Sequence, residues 1–468
     1  MRFRIFLLLV SLLCCWTSCS LEVPLEDRVS DPGAITSIAA AERAAAAAYL
    51  SYTGWQYTLQ YSILAGDFRP SSWLSSAPAQ QQLYLWAPQA LIDLSNTLWR
   101  EHYHTITLCN VLLTRIGGVQ ATAPGELQRR RALEGTTLLL KAQCYLQLLQ
   151  LYAPSPAKVP GTTPAIPLRD AVEASPAPRA SIAEAVQEIK RLIGLALPLV
   201  VDNNALDAHW LGYPACLLLS AQLALWQGDY VQAAQEAQRL LALYPQLLEA
   251  APSNFYQTMW GGSSPGDALF LYDLSRLGGA SRPFQDNLQY DPLWGDFFLI
   301  PPHEALSPDD ARKSAYELPF SAPDGTTALL WGKYNAMNRQ GVEYHDLYAA
   351  RATEALFICA EALAHLNDLQ GAQQLLEGHL RHVGLPKTLA PSTQKKLLAQ
   401  ILQEKRIEFR GEGVSFFDAK RCAVAPLARY TPGGKLLSSI LPDDYRWCWP
   451  IPKAELRLSE GMTQNPGW

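Results

Sequence analysis

Apolar residues recur every three or four positions across 39–52, 93–116, 127–152 and 181–197, with polar residues between them, and each stretch predicts an amphipathic helix. Pro154, Pro156, Pro160, Pro164 and Pro167 interrupt the series with a rigid loop. Helical periodicity returns over 344–383 and 392–409. Between these blocks, residues 251–343 are rich in Gly, Pro, Asp and aromatics and lack a helical period. An insertion of that length inside a compact domain is usually functional or disordered, and its aromatic content favours order. The segment 426–468 is loop-rich around Pro442 and Pro450.

A second pattern is an internal repeat. Ala221-x3-Leu225-x2-Gly228-Asp229-Tyr230-x2-Ala233 superposes on Ala360-x3-Ala364-x2-Asn367-Asp368-Leu369-x2-Ala372. Each copy predicts a helix, a tight turn at a residue that tolerates a left-handed backbone, and a second helix whose small residues allow close approach. This is the physics of tetratricopeptide repeats: one helix pair cannot bury its apolar face alone, so pairs must stack. The helices at 93–116 and 127–152 form a plausible earlier pair, and the insertion separates the two copies.

The ends add a location. Arg2 and Arg4 precede an apolar run over 5–13, and Trp16-Thr17-Ser18-Cys19 places small residues before a cysteine, the form of a lipoprotein signal with Cys19 as the acylated residue. The run is too short to span a bilayer core of ~30 Å, which takes about 20 residues. An ordinary secretory signal cut nearby is the alternative. Residues 1–18 are the expected signal and 19–35 an extended tether carrying Pro24 and Pro32. Loss of Arg2 and Arg4 with the signal takes the formal charge from −5 to −7. A mildly acidic chain without basic runs argues against nucleic acid and anionic lipid surfaces as partners, leaving the lipid to supply the membrane contact. Cys109, Cys144, Cys216, Cys359, Cys422 and Cys448 are widely separated and read as buried thiols; their spacing selects no disulfide.

Candidate chemistry is sparse. Gly262-Ser263-Ser264-Pro265-Gly266 matches the G-x-S-x-G elbow of serine hydrolases, but the predicted strand follows it where the elbow needs one before it. His379 and His382, with His365 nearby, lack the companion ligands of a metal motif. Glu404, Glu408 and Glu412 recur at a spacing of four and are expected to pair with Lys405, Arg410 or Arg421. No catalytic residue, metal or cofactor is assigned. Trp99, Tyr145, Trp226 and Tyr230 lie in helical pattern and go to the core. Trp73, Trp260, Trp294, Trp331, Tyr334 and Tyr344 lie in loop-like sequence together with Asp67, Arg69, Asn287, Asn335 and Asn338. Exposed aromatics with a few polar partners suit a sugar face or a peptide side chain, so these residues form the expected ligand rim.

The run Glu404-Lys405-Arg406-Ile407-Glu408-Phe409-Arg410-Gly411-Glu412-Gly413, continued by Phe416-Phe417-Asp418-Ala419-Lys420-Arg421, resembles the ER-x-x-E-x-x-x-EG-x-R-x-x-D-x-x-R signature of SusD/RagB outer-membrane nutrient-binding lipoproteins. Pro450-Ile451-Pro452-Lys453-Ala454-Glu455-Leu456 and Gln464-Asn465-Pro466-Gly467-Trp468 are similar to that family's closing motifs, and Cys19-Ser20-Leu21-Glu22-Val23-Pro24 to its lipidated start. Lys405 and Val414 stand where the family more often carries other residues. The resemblance implies an all-α fold of tetratricopeptide-like helix pairs with a loop-rich ligand-facing insertion. A single domain over 36–468 is expected, with a scaffold at 36–250 and 344–425, the insertion at 251–343 and a C-terminal loop segment at 426–468. The resemblance further implies a lipid-anchored protein on the cell exterior that captures an oligosaccharide or peptide and delivers it to a TonB-dependent outer-membrane transporter, a SusC-like β-barrel. Family ligand faces combine an early loop with the mid-chain insertion, in keeping with the rim above. A surface-tethered hydrolase and a helical-repeat adaptor without a small ligand are the rival readings.

Overall fold

The computed structural model describes residues 35–172, 176–201, 207–272, 298–321, 327–333, 346–390, 392–422 and 425–468. The periodic stretches are helices: α1 Ile38–Ser51, α4 Pro88–Leu113, α5 Glu126–Tyr152 and α6 Ile182–Val200, with the short α2 Thr58–Ala65 and α3 Pro78–Tyr84 between the first two. Ser37 caps α1 through the Ala40 N–H, and Ser181 with Glu184 closes a reciprocal capping box on α6. α4 packs on α5, and α5 on α6.

The repeat is realised as two helix pairs, α7 Tyr213–Gln227 with α8 Tyr230–Leu241, and α11 Thr353–His365 with α12 Leu369–His382. Gly228 has φ 77° and Asn367 φ 66°. In one turn the Gly228 N–H bonds to Leu225 O and the Asp229 N–H to Ala224 O; in the other Asn367 bonds to Ala364 O and Asp368 to Leu363 O. Asp229 and Asp368 then cap the following helices, accepting from the Gln232 and Gly371 N–H groups. The first helix of the second pair, α11, packs directly on α8. The two repeats therefore stack although the insertion separates them in sequence.

The insertion contributes α9 Phe255–Trp260, α10 Lys313–Tyr316, and strands β2 Ala268–Tyr272, β3 Phe298–Leu299, β4 Glu317–Ser321 and β5 Thr327–Trp331. β4 and β5 form an antiparallel hairpin. β1 Arg69–Pro70 pairs antiparallel with β3, joining the early loop to the insertion. The helical expectation for 344–383 fails at its start. Leu347–Arg351 is strand β6, antiparallel to β2, because Leu347 and Tyr348 are buried on this short sheet before the helix begins at Thr353.

After α12 come α13 Gln394–Glu408 and α14 Val414–Cys422, a hairpin of β7 Leu427–Tyr430 and β8 Leu436–Ile440, and α15 Lys453–Leu458. The closing motifs bind the end of α5: the Trp449 N–H reaches Leu151 O at 3.0 Å, and Asn465 Nδ2 reaches Tyr152 O at 2.9 Å. Gln464 meets both the N–H and the carbonyl of Ile451. One hydrophobic cluster takes in buried residues from Ile35 to Met462. Cys109, Cys144, Cys216, Cys359, Cys422 and Cys448 are free thiols, the first four buried. Among the described residues no helix is long and apolar enough to cross a membrane. The expected signal, Cys19 and nearly all of the tether lie outside the described residues.

Candidate functional site

A cleft of about 1020 Å³ opens where the early loop, the insertion and the C-terminal hairpin converge. Helix α2 ends at Gly66, whose φ of 79° favours glycine. A Cβ there would also lie 2.8 Å from Arg429 Nη1, so the chain turns close over the hairpin before entering β1 with Arg69. Opposite, the strand pair β1–β3 leads into Pro301–Glu304, while α13 supplies Gln403 and Arg406 and α14 supplies Ser415. The β7–β8 hairpin adds Arg429, Tyr430 and Thr431. A smaller depression of about 430 Å³ adjoins it and shares His303, Glu304 and Gln403.

The walls are charged. Arg406 donates to Asp67 Oδ1 at 3.0 Å, Glu304 Oε1 at 2.9 Å and Gly66 O at 2.8 Å. Arg410 also pairs with Glu304. Burial raises the Asp67 pKa although Arg406 and Arg410 pull against it. Arg429 is completely buried, its guanidinium set over the rings of Tyr84 and Trp86, and burial pushes its pKa down to about 10.

The expected rim residues separate into three groups. Arg69 is half-buried and lines the cleft, and Trp73 is half-buried in the turn after β1 without lining it. Asp67 lies fully buried behind the wall, as an ion-pair partner and not a surface contact. Trp260 and Trp331 are core residues, each 1% exposed, which corrects their assignment to an exposed platform. Trp260 ends a short helix and packs on Tyr316 and Tyr348, and Trp331 closes β5 with its Nε1 donating to Arg410 O at 3.1 Å. Regular structure placed them inward where the sequence pattern read as loop. Asn287, Trp294, Tyr334, Asn335, Asn338 and Tyr344 lie outside the described residues. Tyr84, Glu304, Gln403, Ser415 and Arg429 line the cleft without any motif that marks them in the sequence; Arg406 does stand in a recognisable signature, but nothing there shows which way it faces.

The signature run is a buried ion network, with partners other than those expected. Glu408 Oε1 accepts from Arg351 at 2.8 Å and from Tyr316 Oη at 2.9 Å, and its Oε2 accepts from Arg312 at 3.1 Å. Glu412 pairs with Lys333 at 2.6 Å and Arg351 at 2.8 Å, and Glu404 with Arg312 at 2.8 Å. Lys405 turns instead to Asp418 at 2.8 Å, and Arg421 to Glu361 and Asp418. Helical spacing showed which residues share a face but not that this face meets the insertion. Arg351 and Arg312 hold the Glu408 carboxyl well below the usual range against the effect of burial, and Arg312 and His379 bring Glu404 down to about 2. The Gly262–Gly266 stretch follows helix α9 and precedes β2, and Ser264 Oγ accepts the Gly266 N–H at 3.2 Å, the geometry of a turn. His379 lies 3.3 Å from Glu404, and His382 Nδ1 bonds to Glu249 O. Among the described residues no group of three or more His, Cys, Asp or Glu is placed to hold a metal.

Stacked helix pairs with a short-stranded insertion and a cleft at their junction define an all-α protein of tetratricopeptide-like build. Residues 326–468 match the model of the SusD family, and residues 39–209 match a second model described as "Starch-binding associating with outer membrane". The chain belongs to the SusD/RagB family. No curated protein matches it. It is similar in structure to a SusD superfamily protein from Bacteroides thetaiotaomicron, with TM-score 0.75 and 19% identity over 92% of this chain and 100% of that one. A SusD-like carbohydrate binding protein from Bacteroides vulgatus gives TM-score 0.73 at 18% identity over 91% and 97% of the two chains. Surface glycan-binding protein A from Bacteroides fluxus gives 0.66 at 17% over 92% and 100%. At these identities the likeness is one of fold.

Proposed function

We propose that this chain is a cell-surface lipoprotein, anchored to the outer membrane through lipid on Cys19, that captures an oligosaccharide and passes it to a TonB-dependent β-barrel transporter. The observation that carries the reading is the cleft of about 1020 Å³ at the junction of early loop and insertion, in a chain of the SusD family. Pockets on this scale take up small ligands, with a few polar groups fixing orientation. The starch-binding description of one matching model, and the carbohydrate- and glycan-binding names of similar structures, favour a glycan over a peptide. Carriage without cleavage fits the state of Glu404, Glu408 and Glu412, each held in ion pairs inside the fold and not set across a cleft as an acid and base. Arg69 and Trp73 belong to the proposed ligand face, along with Asn287, Trp294, Tyr334, Asn335, Asn338 and Tyr344.

The test is calorimetric titration of the purified protein with a panel of oligosaccharides and a panel of peptides, paired with co-purification from detergent-solubilised outer membranes. Micromolar glycan binding without turnover, and recovery of a β-barrel transporter, are expected. Binding confined to peptides replaces the cargo, and hydrolysis of any bound glycan removes the carrier role.

A further inference from the structure

We infer that the cleft is built for a sugar bearing an anionic group, a uronate or a sulfated residue, received by Arg69 at the rim and by the positive charge of Arg429 in the floor. This rests on the reading of the chain as a glycan carrier and names the class of glycan. The other cations lining the cleft are committed: Lys405 pairs with Asp418, and Arg406 with Asp67 and Glu304. Arg69 and Arg429 stand in no ion pair among the described residues. Arg429 is 0% exposed and donates from Nη2 to Leu64 O, while its Nε and Nη1 have no hydrogen-bond partner among the described residues. Arg69 Nε, on the same cleft, also lacks one.

A buried guanidinium with no ion-pair partner is costly, and the rings of Tyr84 and Trp86 offset only part of that cost. Asp67 adds negative charge nearby, but its bonded oxygen is given to Arg406. A neutral sugar would leave both guanidiniums uncompensated, whereas a carboxylate or sulfate offers paired oxygens that match the fork of Arg69 at the rim, while the fully buried Arg429 acts through its charge and not by contact. The positive surplus is local, because the chain as a whole carries −5. The adjoining depression, sharing His303, Glu304 and Gln403, gives room for further sugar units.

Calorimetry of the purified protein with tetragalacturonate, a sulfated carrageenan tetrasaccharide and neutral maltotetraose tests this, and the two anionic arms separate carboxylate from sulfate. One anionic oligosaccharide should bind at least about tenfold tighter than maltotetraose, and its affinity should fall as NaCl is raised. Arg69→Met and Arg429→Met should each lose about tenfold for the anionic sugar, and Arg429→Lys should keep part of the affinity. Melting curves accompany each variant; should Arg429→Met not fold, Arg69→Met decides, since that side chain is half-exposed. Maltotetraose binding as tightly as either anionic sugar, and unchanged by Arg69→Met, overturns the anion assignment and leaves the glycan carrier standing. Binding of peptides with a free C-terminal carboxylate, and of no oligosaccharide, overturns both.

Discussion

Arg312 of the insertion and Arg351 of β6 meet on one carboxylate: Glu408 accepts from Arg351 on Oε1 and from Arg312 on Oε2, with all three side chains 1% exposed. Glu408 ends α13, Arg351 ends β6, and Arg312 precedes α10, so this carboxylate ties the helical scaffold to the insertion. Removing one member leaves an uncompensated buried charge, which typically costs ~3 to 5 kcal/mol. Glu408→Ala and Arg351→Ala should each lower the melting temperature and the midpoint of urea unfolding by that order. A loss below ~1 kcal/mol in both would mean the network is solvated in solution.

The same network sets the acid limit of stability. Glu404 and Glu408 have folded pKa values depressed below the unfolded carboxylate value of about 4.3, Glu404 to about 2. Their contribution is therefore complete above the unfolded value and is lost as pH falls through the folded ones. Urea unfolding should show stability holding down to about pH 5 and then declining toward pH 2. The decline should be shallower in Glu404→Gln, whose protonation no longer changes on unfolding.

Gly228 and Asn367 offer a cleaner test of the repeat. A Cβ on Gly228 would meet nothing within 4 Å, so a substitution there reports backbone strain alone. Gly228→Val should cost ~1 kcal/mol or more because β-branched residues rarely hold a left-handed backbone. Asn367→Gly should be neutral or slightly stabilising, and Asn367→Val should cost about as much as Gly228→Val. Chemical denaturation of the three variants checks the equivalence, and a neutral Gly228→Val would break it.

Much of this scaffold was legible. Period, capping residues and the repeated Asp after Gly228 and Asn367 are local signals, and local signals survive folding. The signature run was legible as structure but not as geometry: spacing four put Glu404, Glu408 and Glu412 on one face, while their partners Arg312, Lys333 and Arg351 come from the insertion and β6, beyond the reach of any helical period. Arg69 was picked out among the cleft residues by its neighbours in an early loop. Arg429 was not, because it stands in a short hairpin strand and gains meaning only when the Gly66 turn closes over it.

The tryptophans show most sharply where composition misleads, and they supply the last prediction. Trp260 and Trp331 are buried against the ion network, with Lys333 4.9 Å from the Trp260 ring centroid and the Trp331 indole tied to Arg410 O. Truncating either removes a large buried ring and leaves a cavity beside charges that need a dry, polarisable wall. Trp260→Ala and Trp331→Ala should each cost ~3 to 5 kcal/mol. Trp73, half-buried in the turn after β1, should cost ~1 kcal/mol or less as Trp73→Ala. Thermal melts of the three variants beside oligosaccharide titration separate the roles. The core pair should lose stability first, with any loss of binding tracking the unfolded fraction, whereas Trp73→Ala should weaken binding with the melting temperature nearly unchanged. Trp260→Ala melting like the wild type while losing the ligand would return that residue to the rim.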